Sequence, residues 1–329
     1  MRSLAALLAA ASLALGLSSC DDDGGAEPGA SREATLVLDF QPNAVHAGIY
    51  AALRRGYFED EGIDLEIREP SSSTDAPKLL AAGRTEFAVM DINDFGLALE
   101  RGVQLYVVTA LVRRPLAAVI AADREAVARP RDLEGGRVGV TGLPSDEAVL
   151  DAVLEADGAD PESVERVTIG FDSIAALSAG RLDAATAFWN AEGVTLRRIG
   201  VPTREFRVDD YGAGPYPELL VVSSERPPAP GSERPALIDA FRSATARGYR
   251  TLREDPDAAL DDLLSEVPEL SPDEQGAQFD ALLDANAFGH QVAGFKLTNW
   301  ARFASRHGIV DPQVVGPRLT RSMTNYSPG

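Results

Sequence analysis

Strand-like and helix-like segments alternate along residues 35–223, and this alternation restricts the fold more than any other feature. In the first series the segments are residues 35–40, 47–55, 63–67, 76–82, 87–90, 95–101 and 105–111. Repeated β-α-β units of this kind predict a mostly parallel sheet that is covered by helices. Right-handed connections between the strands then leave a ligand crevice at the carboxyl ends of the strands.

A second α/β series follows Arg113-Arg114-Pro115, and a helical region follows residue 235. The segments of the second series are residues 116–121, 137–140, 145–156, 164–169, 174–179, 184–188 and 218–223. Ser145 is the candidate N-cap of the helix at 145–156. The helical region is predicted at residues 235–254, 256–264, 271–284 and 297–307.

Two α/β series and a helical tail predict a bilobal clamshell with two α/β lobes, a two-strand hinge and a helical C-terminal region. Lobe one is expected to comprise residues 35–113 plus 217–329, and lobe two residues 114–216. Closure of two such lobes around a ligand is a common switching mode. The alternative from the same pattern is a single doubly wound domain with a helical appendage.

The N-terminus has the pattern of a secretory signal. Residues 4–17 form an apolar run that is shorter than the roughly 20 residues of a membrane-spanning helix. Leu17-Ser18-Ser19-Cys20 resembles a lipobox, which predicts a signal peptide at residues 1–20 and lipidation of Cys20. Residues 21–34 are polar and are predicted to be a flexible tether. The alternative is an ordinary signal peptide with an incidental cysteine.

Composition and motifs exclude several classes of protein. The net charge of -20 argues against nucleic-acid binding, which needs clustered Lys and Arg. Because Cys20 is the single cysteine, neither a disulfide framework nor a cysteine-based metal site is expected in the folded body. The sequence has no G-x-S-x-G or H-E-x-x-H motif, and its three histidines lack metal-ligand spacing. We therefore expect no catalytic residues, no metal and no cofactor.

Polar and aromatic side chains follow the strands whose ends should form the crevice. Such sites are mainly apolar, with a few well-placed polar groups. The candidate ligand-binding residues are Asp39, Phe40, Asn43, His46, Tyr50, Asp91, Asn93, Trp189, Asn190, Glu192 and Tyr211. Several have structural alternatives: His46 could pack at a helix start, Trp189 and Tyr50 could belong to the core, and Glu192 could be a solvated helix-start acid.

The opening string Leu38-Asp39-Phe40-Gln41-Pro42-Asn43, followed by His46 and Gly48, resembles a known family. It is similar to substrate-binding proteins of the nitrate/sulfonate/taurine and thiamine-precursor class, and most closely to the pyrimidine-precursor-binding branch. Further matches lie at residues 78–83, 87–89, 111–116, 132–140, 142–147 and 188–193, so the resemblance spans roughly residues 35–260.

The resemblance implies a type II periplasmic-binding-protein-like fold and an ABC permease partner with its ATPase. It also implies a small ligand such as a formylated or free amino-pyrimidine. The expected protein is a monomer that is anchored by lipid at the extracytoplasmic face of the membrane. Phe40 replaces the tryptophan that is usual in the family, and residues 89–94 replace a Ser-Tyr-Gln-Pro run. Because the candidate cleft is rich in acids and poor in Arg, a neutral or cationic nitrogenous ligand is favoured over an anion.

Two other functions remain open from the sequence. Fungal pyrimidine synthases resemble these binding proteins, but use a lysine for pyridoxal phosphate and a cysteine-rich strip for iron. The helix after His46 contains Arg54 and Arg55 and no lysine. Lys78, which begins the matched string at 78–83, and Lys296 both lie outside the strings that are expected to line the cleft. A surface lipoprotein that senses its ligand is the second alternative.

Overall fold

The computed structural model describes residues 31–70, 75–122, 127–170, 172–226, 237–289 and 297–322. The predicted signal peptide, the lipidation site at Cys20 and most of the predicted tether lie outside these residues. Within the described ranges, none of the helices combines the length and the apolar character that a membrane crossing requires.

Ten strands within the described ranges form two five-stranded sheets. The strands are β1 (Arg32–Val37), β2 (Ile63–Arg68), β3 (Phe87–Asp91), β4 (Tyr106–Val112), β5 (Ala117–Ala121), β6 (Arg137–Val140), β7 (Glu165–Thr168), β8 (Ala184–Phe188), β9 (Arg204–Arg207) and β10 (Leu219–Ser223). Sheet A has the order β2-β1-β3-β10-β4, and sheet B has the order β7-β6-β8-β5-β9. The fold is therefore bilobal, with one mixed sheet in each lobe.

Twelve helices of the described residues surround the two sheets. They are α1 (Ala47–Arg54), α2 (Tyr57–Asp60), α3 (Asp75–Ala81), α4 (Ile92–Glu100), α5 (Pro144–Ala156), α6 (Ser173–Ser178), α7 (Glu192–Arg198), α8 (Leu237–Glu254), α9 (Pro256–Glu266), α10 (Pro272–Asp284), α11 (Leu297–Arg306) and α12 (Pro312–Ser322). A 3₁₀ turn at Ala44–His46 precedes α1.

Each sheet is mostly parallel, as the sequence predicted, but contains one strand that runs against the other four. β10 runs antiparallel to β3 and β4, and β5 runs antiparallel to β8 and β9. The reason is the path of the chain: β5 and β10 are the first strands after each passage between the lobes, so they enter their sheets from the hinge side. The prediction of a parallel arrangement holds for β1–β3 and for β6–β8.

The start of α5 also differs from the prediction. Leu143 is the N-cap and Pro144 occupies the first turn, so Ser145 lies inside the helix. Proline is favoured at this position because its missing N–H would have no partner there. Sequence reasoning did not identify α2, α12 or β9, and of α7 it anticipated only the start, with Glu192 as a possible helix-start acid.

The carboxyl edges of the two sheets face each other across the hinge. The first crossing leaves the end of β4 and enters β5 at Ala117, which pairs with Phe188 at the end of β8. The second crossing ends at Leu219, which pairs with Asp91 at the end of β3 and with Val112 at the end of β4. Since β1 is parallel to β3, its carboxyl end lies at the same edge.

A third segment lies beside the first crossing. The amide of Arg113 donates to the carbonyl of Ala287 (2.8 Å), and the amide of Gly289 donates to that of Leu111 (2.9 Å). Val112 and Phe288 form an isolated antiparallel bridge. The segment that follows α10 is thereby fixed to the hinge.

Close packing of α1 against α8 holds the start of α1 in place. A Cβ atom at Gly248 would collide with the carbonyl oxygen of Gly48, so the two helices pack with their backbones in contact. Behind them, the rings of Phe87 and Phe241 stack at 4.0 Å between centroids. This core sets the position of the loop that joins β1 to α1.

Candidate functional site

Large apolar side chains are exposed at the facing strand ends. Phe40 (63% exposed) follows β1, Leu143 (51%) follows β6, and Phe188 (41%) ends β8. Ile199 is the one further large apolar residue that is exposed within the described ranges, and it lies at the end of α7. Exposed apolar groups at the facing edges of two sheets are typical of a binding surface rather than of scattered surface residues.

The turn after β1 orients the carboxylate of Asp39. The Nδ1 atom of His46 accepts from the amide of Asn43 (3.2 Å), so the proton of the neutral imidazole lies on Nε2. Nε2 then donates to Oδ1 of Asp39 (2.8 Å). His46 is completely buried, whereas the Asp39 side chain is 22% exposed. The second oxygen of Asp39 accepts no hydrogen bond from the described residues, and is available to a donor in the crevice.

Asn43 completes this turn from within. Its Oδ1 accepts from the amide of Val45 (3.0 Å), and its Nδ2 donates to the carbonyl of Gln41 (3.0 Å). Asn43 is therefore the N-cap of the 3₁₀ turn. Its side-chain groups hold the backbone that carries His46.

A buried pair of carboxyl groups lies where the second crossing meets lobe one. Asp91 and Glu218 share a side-chain hydrogen bond, and Oε2 of Glu218 also accepts from the amide of Leu116 (2.7 Å). Burial raises the pKa of Glu218 well above its usual range, and the neighbouring Asp91 raises it further. Burial also raises the pKa of Asp91. The pair therefore keeps a proton to a higher pH than two separate carboxyl groups would, which favours a hydrogen bond between them.

Asp94 adds a third acid to the same region. Burial first, and then the charges of Asp91 and Asp39, raise the pKa of Asp94 to about 7, although Arg101 opposes the shift. The neighbouring Asn93 is fixed differently, since its Oδ1 accepts from the indole Nε1 of Trp300 (2.9 Å). The acids of this lobe thus act on one another at the carboxyl edge of sheet A.

The polar side chains that follow β8 in lobe two make fewer hydrogen bonds with one another than those of lobe one do. Oε2 of Glu192 accepts from the amide of Phe188 (3.0 Å), and burial raises the pKa of Glu192. Asn190 is buried, and its Oδ1 has no hydrogen-bond partner among the residues that the structure describes. A buried acceptor without a partner costs about 1–3 kcal/mol, so this oxygen favours any donor that reaches it.

Trp189 lies in the hinge. It is completely buried, and its Nε1 donates to the carbonyl of Pro115 in the first crossing (2.9 Å). The guanidinium of Arg207 lies over its ring at 4.0 Å, and that of Arg114 lies at 6.0 Å. Arg114 in turn pairs with Asp209 in the second crossing (2.7 Å). This cluster ties both crossings to the end of β8.

Two of the predicted aromatic residues, Tyr50 and Tyr211, are buried or packed against other side chains. Tyr50 is buried in α1, and burial, with Glu69 as the next cause, raises the pKa of its hydroxyl. Tyr211 packs edge-on against Phe206 (5.9 Å) and lines a separate cavity of about 240 Å³. α5 and α11 provide most of the other residues that line this cavity.

Sequence reasoning missed three polar residues of this region: Asp94, Glu218 and Gln275. Asp94 lies in the 89–94 segment that was singled out, and its position after the helix start was the available signal. Glu218 directly precedes a fully buried strand at the second crossing, and a charged residue there indicates a buried partner. No signal in the sequence indicated Gln275, whose partner Ala44 is 231 residues away.

No group of three His, Cys, Asp or Glu side chains that could hold a metal ion occurs in the part of the chain that the structure describes. The acids of lobe one are arranged as a proton-sharing pair with flanking carboxylates.

The sequence is similar to a family model and to individual proteins that are named for pyrimidine binding or pyrimidine synthesis. The sequence model of the family described as NMT1/THI5 like matches residues 43–259. The formylaminopyrimidine-binding protein of Halalkalibacterium halodurans is 34% identical over 254 residues, which are 77% of this chain and 76% of that protein. The 4-amino-5-hydroxymethyl-2-methylpyrimidine phosphate synthase of Legionella pneumophila is 26% identical, over 72% of this chain and 74% of that one.

A solved structure supports the same architecture. The alkanesulfonate-binding protein SsuA from Xanthomonas axonopodis pv. citri, bound to MOPS, superposes with a TM-score of 0.62. The two are 15% identical, and the match covers 89% of this chain and 98% of that chain. At this identity the likeness concerns the fold: both have the periplasmic-binding-protein architecture.

Proposed function

Because the chain belongs to the NMT1/THI5-like family, we propose that it is the solute-binding subunit of an ABC importer. Its ligand is a small nitrogenous molecule, an amino-pyrimidine related to thiamine. The observation that carries the proposal is the Asp39 carboxylate, held by buried His46 and partly open to the crevice. The formylaminopyrimidine-binding relative supports the choice of ligand.

The chemistry of the facing walls favours an aromatic ring that carries amino groups. Phe40 and Phe188 offer exposed apolar faces, one from each lobe. Asp39 and the free Oδ1 of Asn190 are acceptors, which suit the exocyclic N–H groups of an amino-pyrimidine. A sulfonate or nitrate would meet carboxylates at these positions, and such an anion would lose its hydration without compensating donors.

The candidate residues have different roles in this proposal. Asp39, Phe40, Phe188 and Asn190 contact the ligand, with Glu192 and Asp91 beside them. Asn43 and His46 act through Asp39, because their polar groups are already used within the turn. Trp189 acts through the hinge, to which its indole is bonded.

The partners and location follow from this proposal. Cys20 carries the lipid that anchors the protein at the extracytoplasmic face of the membrane. The monomer delivers its ligand to a permease that works with an ATPase. Binding drives closure only as far as the ligand has higher affinity for the closed form.

A pyrimidine synthase is the second candidate, favoured by the similarity to the Legionella protein. The family resemblance implies a lysine in the helix after His46 and a cysteine-rich strip. α1 carries no lysine, and its end is used by ion pairs of Arg54 with Glu266 (3.0 Å) and of Arg55 with Asp262 (2.5 Å). The single cysteine is Cys20. These residues do not fit pyridoxal phosphate and iron, so we assign the chain to binding.

Isothermal titration of the full-length protein tests the proposed function. The ligands are formylaminopyrimidine, 4-amino-5-hydroxymethyl-2-methylpyrimidine, thiamine, riboflavin, spermidine, taurine and nitrate. We expect micromolar or tighter binding of an amino-pyrimidine and none of taurine or nitrate. Binding of taurine or nitrate alone would contradict the assignment of the cleft. Absorbance spectra after addition of pyridoxal phosphate test the synthase, which requires a lysine adduct.

A further inference from the structure

α10 lies between the ligand-binding turn of lobe one and a helix of lobe two. Oε1 of Gln275 accepts from the amide of Ala44 at 2.8 Å, in a buried hydrogen bond. The preceding residue, Glu274, accepts from the hydroxyl of Thr195 in α7 at 3.4 Å. Consecutive residues of one helix thus touch both lobes next to the candidate site.

The hydrogen bond from Ala44 is one of two external supports of the turn; the other is the hydroxyl of Tyr249 in α8, which donates to the carbonyl of Val45 (3.1 Å). Three consecutive amides of the turn donate to side chains: Asn43 to His46, Val45 to Asn43, and Ala44 to Gln275. Two of these acceptors belong to the turn itself, and Gln275 comes from the C-terminal region. Ala44 is completely buried, so water cannot replace the amide oxygen of Gln275.

The far end of α10 is fixed to the hinge. The guanidinium of Arg113 donates to the carbonyl of Asn286 (2.7 Å), and that of Arg114 donates to the carbonyl of Ala285 (3.1 Å). α10 therefore has one end on the first crossing and the other against the turn. The family match ends at residue 259, so the whole of α10 lies beyond it.

We propose that Gln275 is a positioning residue of the ligand site. It holds the amide of Ala44, and thereby the turn in which His46 orients the Asp39 carboxylate. The role in binding rests on the proposed function, because it requires Asp39 to contact the ligand. The role in positioning His46 does not rest on the proposed function, and it can be measured separately without a ligand.

Gln278 provides a matched control. It lies on the same helix, it is as buried as Gln275 (both 6% exposed), and its amide bonds Glu274 instead of the turn. Gln275→Met and Gln278→Met both replace a glutamine side chain by the apolar side chain of methionine. Both should lose stability to a similar extent, while the effect on the site should differ.

The first measurement is calorimetric affinity for formylaminopyrimidine, with the full-length protein. We expect Gln275→Met to weaken binding about 10-fold, and Gln278→Met to stay within about twofold of the unmodified chain. Gln275→Glu keeps an acceptor at the same reach and should recover most of the affinity. Gln275→Asn keeps the amide but shortens it, and it replaces the Met variant if that one does not fold.

The second measurement needs no ligand. The ¹⁵N chemical shifts of the His46 ring report which nitrogen carries the proton, and Gln275→Met should shift them toward a mixture of tautomers. Gln278→Met should leave them unchanged. Unchanged shifts and affinity in Gln275→Met would overturn the inference. If no pyrimidine binds but the His46 signals still change, the proposed function fails and the positioning role stands.

Discussion

The walls that the two lobes present to the cleft are built differently. In lobe one the polar groups hold one another: His46 fixes Asp39, Glu218 bonds Asp91, and Trp300 fixes Asn93. In lobe two Glu192 accepts from the amide of Phe188, but the buried Oδ1 of Asn190 has no hydrogen-bond partner among the described residues. Within the proposed function, this difference favours a lobe one that is organised before the ligand arrives and a lobe two that gains a contact at Asn190 when the cleft closes. A preorganised surface loses less free energy when it orders around a ligand.

The largest effect should come from the preorganised wall. Asp39→Asn should weaken binding of the amino-pyrimidine about 10- to 100-fold, because hydrogen bonds to charged groups contribute about 1.5–3 kcal/mol. Calorimetric titration measures the loss. Asp64→Asn, at an exposed position of β2, is the control and should bind normally. Equal affinities in the two variants would remove Asp39 from the ligand contacts.

The second effect concerns the raised pKa of a carboxyl group in lobe one. The pKa of Asp94 is raised to about 7 in the folded chain, above its value of 3.8 when unfolded. The folded state thus binds more protons, and its stability falls as pH rises from about 4 to 7. Asp94→Asn should reduce this loss of stability. At pH 8 the free energy of unfolding of the variant should exceed that of the unmodified chain by on the order of 2 kcal/mol. Urea unfolding at pH 5 and pH 8 measures it.

Asp64→Asn should leave that pH dependence unchanged, since its carboxylate is exposed. If the stability of Asp94→Asn fell with pH as steeply as that of the unmodified chain, Asp94 would not be the group that holds the extra proton. The pair Asp91 and Glu218 would then be the remaining site in lobe one.

A smaller effect should come from the open wall. Phe188→Ala should weaken binding about 3- to 10-fold, because a stacked aromatic ring contributes about 0.5–1.5 kcal/mol beyond its area. If the ligand contacts lobe one first and lobe two afterwards, the loss of affinity should appear as faster dissociation of the ligand. Stopped-flow fluorescence measures this rate. Ile199→Ala removes another exposed apolar side chain of lobe two and should bind as the unmodified chain does. A slower association in Phe188→Ala would reverse the proposed order of contacts.

The smallest effect separates stability from binding. Asn190→Ala removes a buried acceptor that lacks a partner, so the free energy of unfolding should be unchanged or higher. The same change should weaken binding about 2- to 10-fold, because the ligand loses one neutral hydrogen bond. Thermal melts with and without ligand measure both quantities. A variant that is less stable and binds normally would mean that Asn190 is structural.

The fold could be predicted largely because its signals are local. Apolar runs and helical spacing gave β6 and β8 with their observed bounds, and most other elements to within a few residues. The direction of β5 and β10 depends on how the chain returns from one lobe to the other, and no local pattern contains it. The domain boundaries and the list of ligand contacts stay predictions.

The site was predictable where its residues are close in the chain. Asp39, Asn43 and His46 fall within eight residues, and the structure joins them by hydrogen bonds. The pairing of Asp91 with Glu218, and that of Ala44 with Gln275, join distant parts of the sequence. Burial also changes what a side chain can do, as with Trp189, whose ring is covered by Arg207. Composition alone cannot indicate such burial.

The order of strands in the two sheets has a consequence for how a chain of this fold can change in evolution. Sheet B is made of β5 to β9, which are consecutive in the chain, whereas sheet A needs β10 from beyond them. One uninterrupted stretch of gene therefore encodes the whole of one wall, and it enters and leaves through neighbouring points of the hinge. Recombination at those two points exchanges that wall as a cassette and leaves the other intact. Ligand preference can then diversify by replacing half of the cleft in a single event.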